Sequence, residues 1–150
     1  MDKAVIFIVE GNTDKTALEN IFKKIYRHKD IQFKFTKGDI TSDEDVTKDN
    51  VKDKIYEIVK SYMDYAKLNK SHIFQIVQIF DTDGTYIDKS DIIKGDTEEF
   101  VYLEEGISCK YPDRVEARNN HKKELMEFLL NESEIKNIPY ECYFMSCNLD

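Results

Sequence analysis

The chain has 150 residues, of which 41% are hydrophobic and 35% are charged, with only five glycines and two prolines. A chain of this length and composition typically folds as one domain around a single core and is too apolar to be disordered. The net charge of −8 excludes nucleic-acid binding through bulk charge, because phosphate backbones repel an acidic protein. No apolar run approaches the about 20 residues of a membrane span, and the three cysteines follow no metal spacing. We therefore expect a reduced, cytoplasmic protein with no membrane partner.

The chain begins with the pattern of a strand, a turn and a helix. Residues 4–9 form a continuous apolar run rich in β-branched side chains, which is typical of a strand buried on both faces in a parallel sheet. A turn with helix-capping residues follows at 10–14, and apolar residues then recur at helical spacing up to Ile25. Residues 31–35 alternate between apolar and polar side chains and predict a second strand.

The rest of the chain continues the alternation of strands and helices. The acidic segment 39–49 predicts an exposed loop, and helical spacing over 51–66 predicts an amphipathic helix. Residues 73–80 form a second strongly apolar run and predict another buried strand. The alternation predicts an α/β fold with a central, mainly parallel sheet flanked by helices. Three further elements are predicted towards the C-terminus: a strand at 99–103, a helix at about 115–130 and a strand at 140–145.

Acidic residues follow both strongly apolar strands. Glu10 and Asp14 come after the first, and Asp81 and Asp83 come after the later one. Ligands bind at the carboxyl ends of the strands in parallel sheets, so these carboxylates converge there if the two strands are neighbours. Such a cluster must take up protons or bind a divalent cation, and its oxygen ligands suit Mg²⁺ or Mn²⁺. Each turn also has a purely structural interpretation, as a helix cap or an ordinary Asp-Gly turn.

These acidic residues resemble the motifs of the Toprim family, which are a Glu at the end of the first strand and an Asp-x-Asp after a later hydrophobic strand. Here the motifs are VEG at 9–11 and DTD at 81–83, and the stretch 9–18 is most similar to the overcoming-lysogenization-defect (OLD) type. The resemblance covers about residues 4–85. We expect residues 86–150 to be a family-specific extension of the same single domain. The abrupt end of the chain leaves open both a complete chain and one truncated at the C-terminus.

The resemblance implies a Toprim (Rossmann-like) fold and a nuclease that uses Mg²⁺ or Mn²⁺ to hydrolyse phosphodiester bonds in DNA or RNA. Asp81 and Asp83 would bind the metal, and Glu10 and Asp14 would share it or bind a second ion. Glu10 could also act as a general acid or base, so Glu10, Asp81 and Asp83 are the candidate catalytic residues. The sequence holds no Gly-x4-Gly-Lys-Ser/Thr loop. Action alone and action within a larger assembly, with an ATPase partner or a further domain, therefore both stay open.

Local basic residues are the candidate contacts to a nucleic-acid backbone. Lys37 belongs to a Gly-containing segment that resembles the one Toprim proteins carry between their two acidic motifs. A second basic stretch lies late in the chain and could bind phosphates as a patch. Its members are Lys110, Arg114, Arg118, Lys122 and Lys123.

Two other functions stay open. The segment 81–85, DTDGT, also resembles the first motif of haloacid-dehalogenase-type phosphatases, in which Asp81 would be the nucleophile and Asp83 the general acid. That function leaves Glu10 and Asp14 unexplained. The third class is a non-catalytic Toprim-fold module that binds a partner or a cation.

Overall fold

The computed structural model of the chain describes residues 3–25, 31–38, 40–82 and 84–145. None of the helices in these ranges combines the length and the apolar character that a membrane crossing requires. The elements are β1 (Lys3–Val9), α1 (Asn12–Ile25), β2 (Ile31–Lys37), α2 (Val51–Ala66), β3 (Ile73–Asp81), β4 (Ile92–Lys94), β5 (Val101–Leu103), β6 (Gly106–Cys109), α3 (Pro112–Leu130), β7 (Glu134–Ile135) and β8 (Ile138–Met145).

The central sheet has five strands in the order β2-β1-β3-β8-β7. β1 pairs in parallel with β2 and β3, and β3 pairs in parallel with β8, whereas the short β7 is antiparallel to β8. This confirms the predicted mainly parallel sheet. The direction in which strands are added to the sheet reverses after β2, because β2 lies on one side of β1 and β3 lies on the other. The gap between β1 and β3 is therefore the switch point at which ligands bind in open α/β sheets.

Helices cover both faces of the sheet, which explains why β1 and β3 are so apolar. On one face, Phe22 of α1 packs against Phe7 of β1, with ring centroids 4.7 Å apart. On the other face, α2 and α3 bury their apolar stripes against the same strands. Those stripes include Val51, Ile55 and Val59 from α2, and Leu125, Met126 and Leu129 from α3.

A small second sheet interrupts the crossover from β3 to β8. Its order is β4-β6-β5, and Ile107 and Cys109 of β6 pack against Val115 of α3. The predicted strand at 99–103 corresponds to β5, but the sequence patterns did not predict β4, β6 and β7. These strands have two to four residues each, which is too short for a hydrophobic period to show.

The acidic loop before α2 is not uniformly exposed. The prediction that 39–49 forms an exposed loop was therefore wrong in part. Ile40, Thr41 and Val46 have exposed fractions of 8%, 0% and 0%. Ile40 and Val46 join the core cluster beneath α2, because the loop folds back across the end of the sheet. Its described residues at 42–45 and 47–49 are exposed.

Candidate functional site

Glu10 and Asp81, one acid from each motif, lie at one edge of the central sheet. Val9 of β1 pairs with Ile79 of β3, so Glu10 follows the end of β1 next to the position where Asp81 ends β3. Adjacent strands are about 4.8 Å apart. The sheet therefore brings Glu10 and Asp81 to the same edge, at its switch point.

Strand geometry places these two acids on different sides of the sheet. Ile8 belongs to the core cluster beneath α2 and α3, and Glu10 follows it by two residues. Val77 and Ile79 belong to the cluster beneath α1, and Asp81 continues their alternation. A ligand shared by Glu10 and Asp81 would thus lie over the end of the sheet rather than on one face.

Glu10 is neutralised by a lysine from the far end of the chain. Lys122 Nζ lies 3.1 Å from Glu10 Oε2, and the exposed fractions of the two side chains are 1% and 10%. The Thr41 hydroxyl donates to the other carboxylate oxygen, Oε1, at 3.2 Å. A buried ammonium or carboxylate without a partner costs several kcal/mol, so this contact compensates for the burial of the two charges.

The position of Lys122 corrects the prediction that it belongs to a surface patch with Lys123. Lys122 lies on the inner face of α3, where residues recur every three or four positions. The helical spacing of this stripe is visible in the sequence and could have identified Lys122 as an inward-facing charge. The buried residues of the stripe are Val115, Asn119, Lys122, Leu125, Met126 and Leu129.

Asn119 lies one turn before Lys122 on α3 and holds the loop that follows β3. Its side chain is buried, and Nδ2 donates to the Gly84 carbonyl at 3.2 Å. Arg118 Nη2 donates to Asn119 Oδ1 at 2.8 Å. Within the ranges described above, the buried hydroxyl of Thr85 in the same loop has no hydrogen-bond partner. α3 thus contacts both acidic segments, Glu10 through Lys122 and the loop after Asp81 through Asn119.

For two other predicted site residues the structure gives only the position in the backbone, and a third lies outside the described ranges. Asp83 lies outside the described residues. Asp14 is in the first turn of α1, and Lys37 is the last residue of β2. Among the described side chains, no three from Asp, Glu, His or Cys are arranged to hold a metal ion. The four-carboxylate metal cluster therefore stays a prediction.

The remaining predicted basic residues lie against aromatic rings. We call them and their rings the cation–aromatic set. Lys110 also contacts Glu98 Oε1 at 3.3 Å, and Lys123 contacts Glu127 Oε1 at 3.9 Å. Each ring is at least one-third exposed, so cation and ring are both accessible from solvent. The set consists of Arg114 over Tyr111 at 4.7 Å, Lys110 over Tyr111 at 5.4 Å, Arg118 over Phe100 at 4.6 Å and Lys123 over Tyr86 at 5.5 Å.

Comparisons of this chain with models of protein families, with curated proteins and with solved structures found no match. The function is therefore inferred from the residues and contacts of the chain itself.

Proposed function

We propose that this protein is a Toprim-type nuclease that uses Mg²⁺ or Mn²⁺ to hydrolyse phosphodiester bonds at the carboxyl ends of β1 and β3. The observation that carries the proposal is the placement of Glu10 and Asp81 at the switch point of a mainly parallel sheet. Glu10 and Asp81 are far apart in the sequence, and the parallel pairing of β1 with β3 brings them to one edge.

The donor atoms at this edge suit a hard divalent cation. Carboxylate oxygens are the ligands that Mg²⁺ and Mn²⁺ prefer, and Glu10 and Asp81 would hold the ion together with Asp14 and Asp83. The ion would supply positive charge for the phosphate and for the attacking water. Lys122 competes for the same carboxylate, since its ammonium already neutralises Glu10.

The chain's own residues fix the position of the candidate general base. Lys122 holds Oε2 of Glu10, and the Thr41 hydroxyl holds Oε1. A general base must be within hydrogen-bond reach of the proton that it removes, so its carboxylate has to be held in place. Because α3 also anchors the loop after β3 through Asn119, it fixes the position of this loop relative to Glu10.

The cation–aromatic set supports a nucleic acid as the substrate of this acidic protein. Cations next to partly exposed rings offer phosphate contacts and stacking surfaces together. The set contains Arg114 and Arg118, which are one turn apart on α3, the helix that also carries Lys122. Local contacts of this type would compensate for the unfavourable net charge of −8.

The proposal is tested by incubating purified protein with supercoiled plasmid and with structured RNA, in Mn²⁺ and in chelator. We expect cleavage of one of them in Mn²⁺ only, and a loss of about 100-fold or more in Glu10→Gln. The control is Glu134→Gln, which changes an exposed acid on β7 and should cleave as the parent does. Equal cleavage by Glu10→Gln and the parent would contradict the role of Glu10.

The non-catalytic module is the second candidate, and the Glu10–Lys122 contact favours it. A site whose carboxylate is already neutralised has less need of an ion. If Mn²⁺ raises the Tm but no nucleic acid is cleaved, this function is the better one.

The phosphatase mechanism assigns no role to the Glu10–Lys122 contact. Retention of a phosphoryl group on Asp81 after incubation with a phosphate ester would revive it.

A further inference from the structure

A cleft of about 610 Å³ opens between α1, the edge strand β2 and α2. Its volume lies within the range of about 300–1,000 Å³ that is usual for ligand sites. The lining combines aromatic rings from Phe35, Tyr62 and Tyr65 with the charged side chains of Lys15 and Lys54. Neither the Glu10–Lys122 contact nor the cation–aromatic set uses this cleft.

The cleft lies beside the candidate active site. Thr36, which lines it, pairs with Ile8 of β1, and Glu10 is two residues further on. From the usual strand rise and spacing, the Cα atoms of Thr36 and Glu10 are about 8 Å apart. Ile40 also lines the cleft, and the next residue, Thr41, donates to Glu10. The cleft and the Glu10 carboxylate therefore share one wall.

The aromatic lining includes a ring that core packing does not explain. Tyr65 is 84% exposed, and its ring centroid lies 6.4 Å from that of Tyr62, at an interplanar angle of 50°. Tyr62 itself packs partly against the core, and burial raises the pKa of its hydroxyl, so the ring stays neutral. An exposed tyrosine face next to a firmly held one is a platform for a flat ring such as a nucleobase.

The charges of the cleft are nearly balanced. Lys15 and Lys54 face it together with Glu57, whose carboxylate lies 3.6 Å from Lys54 Nζ, and Glu19 lies close enough to Tyr62 to raise its pKa further. Such a lining suits one phosphate beside a stacked base better than a long polyanion. Binding should consequently depend more on stacking than on salt.

We propose that this cleft binds a base and the adjoining phosphate of a single-stranded nucleic acid. Tyr65 would stack on the base, and Lys15 or Lys54 would contact the phosphate. A duplex is disfavoured, because its bases are already stacked on each other and do not offer their faces to a side chain. That the strand then leads to Glu10 rests on the proposed nuclease function, whereas the binding itself does not.

The test measures the fluorescence anisotropy of a labelled single-stranded 12-mer, as DNA and as RNA, in chelator so that no cleavage occurs. We expect Tyr65→Ala to weaken binding by about fivefold or more, the usual effect of removing one base–aromatic stack. Tyr143→Ala is the matched control, because Tyr143 is 54% exposed on β8, away from the cleft. The proposal is overturned if Tyr65→Ala binds the strand as tightly as the parent, or if duplex binding is equally sensitive to Tyr65.

Two further measurements separate this proposal from the nuclease. If the parent cleaves nothing in Mn²⁺ but its binding still depends on Tyr65, the nuclease fails and the cleft proposal is supported. A free mononucleotide that binds as tightly as the 12-mer overturns the assignment of the cleft to a nucleic-acid strand.

Discussion

At the scale of single residues, the contact between Lys122 and Glu10 is the main electrostatic feature of the site. Removing one partner of a buried ion pair is far more damaging than removing both, because the remaining charge is left without compensation. Lys122 is the more deeply buried of the two and is held within the apolar stripe of α3. The site is therefore sensitive to a change at either residue.

Lys122→Met should lower the free energy of unfolding by about 3 kcal/mol, because it leaves the Glu10 carboxylate buried without its cation. Urea denaturation measures the change. Lys123→Met is the control, since the Lys123 side chain is about half exposed, and it should change stability by less than about 0.5 kcal/mol. Adding Glu10→Gln to Lys122→Met should recover part of the stability, and a further decrease instead would contradict the electrostatic explanation.

Tyr140 forms a second buried polar contact, on β8 next to β3. Its hydroxyl donates to Gln78 Oε1 at 2.8 Å, and the exposed fractions are 2% for Tyr140 and 1% for Gln78. Burial raises the pKa of Tyr140 well above its usual value. The folded protein therefore holds the phenolic proton more tightly than the unfolded chain does.

The stability that Tyr140 contributes should be lost at high pH. It is fully present below the unfolded pKa of about 10 and falls above it, by at most about 1.4 kcal/mol per pH unit, because the unfolded chain releases the proton first. Urea unfolding of the parent and of Tyr140→Phe from pH 8 to pH 11 measures this. The parent should be more stable than Tyr140→Phe by an amount that shrinks above pH 10. The contributions of the other tyrosines are common to both proteins and cancel in this difference. A constant difference would show that Tyr140 does not titrate in this way.

At the scale of elements, the small sheet depends on one close approach of two backbones. A Cβ atom at Gly106 would overlap the carbonyl oxygen of Asp91, in the turn that precedes β4. Backbone cannot move aside as a side chain can. Gly106 is thus the residue that allows β6 to lie between β4 and β5.

Gly106→Ala should loosen the small sheet and cost about 1–3 kcal/mol, the usual range for overpacking. Hydrogen exchange should show faster exchange in β4 and β6 and unchanged protection in β1 and β3. Gly95→Ala is the control, because its Cβ would meet the Ser108 hydroxyl, which can rotate away. Equal effects of the two substitutions would contradict the importance of the backbone contact.

At the scale of the whole molecule, the net charge of −8 repels phosphates, so the proposed nucleic-acid binding would depend on a few local cations. Arg114→Gln with Arg118→Gln should weaken binding to DNA or RNA regardless of sequence and lower the salt slope by about one for each phosphate that the protein no longer neutralises. Binding measured at several salt concentrations tests this. Lys3→Gln is the control, since Lys3 begins β1 at the opposite edge of the sheet. An unchanged slope in the double variant would remove these arginines from the interface.

The local patterns of the sequence were sufficient to predict the main elements of the central layer. Continuous apolar runs predicted β1 and β3, and helical spacing predicted α2, because each pattern depends only on the geometry of its own element. Parallel pairing then followed from the alternation of strands and helices, and with it the shared edge for Glu10 and Asp81.

Only the tertiary structure showed how Glu10 is neutralised. Its partner, Lys122, is 112 residues away in the chain, and no local pattern states which strand end a helix position will face. The burial of Ile40 and Val46 and the existence of β4 and β6 have the same origin, since short segments fold according to the surface beneath them. The sequence by itself determined which residues could carry the chemistry, and the packing of α3 against the sheet decided which charge stands beside them.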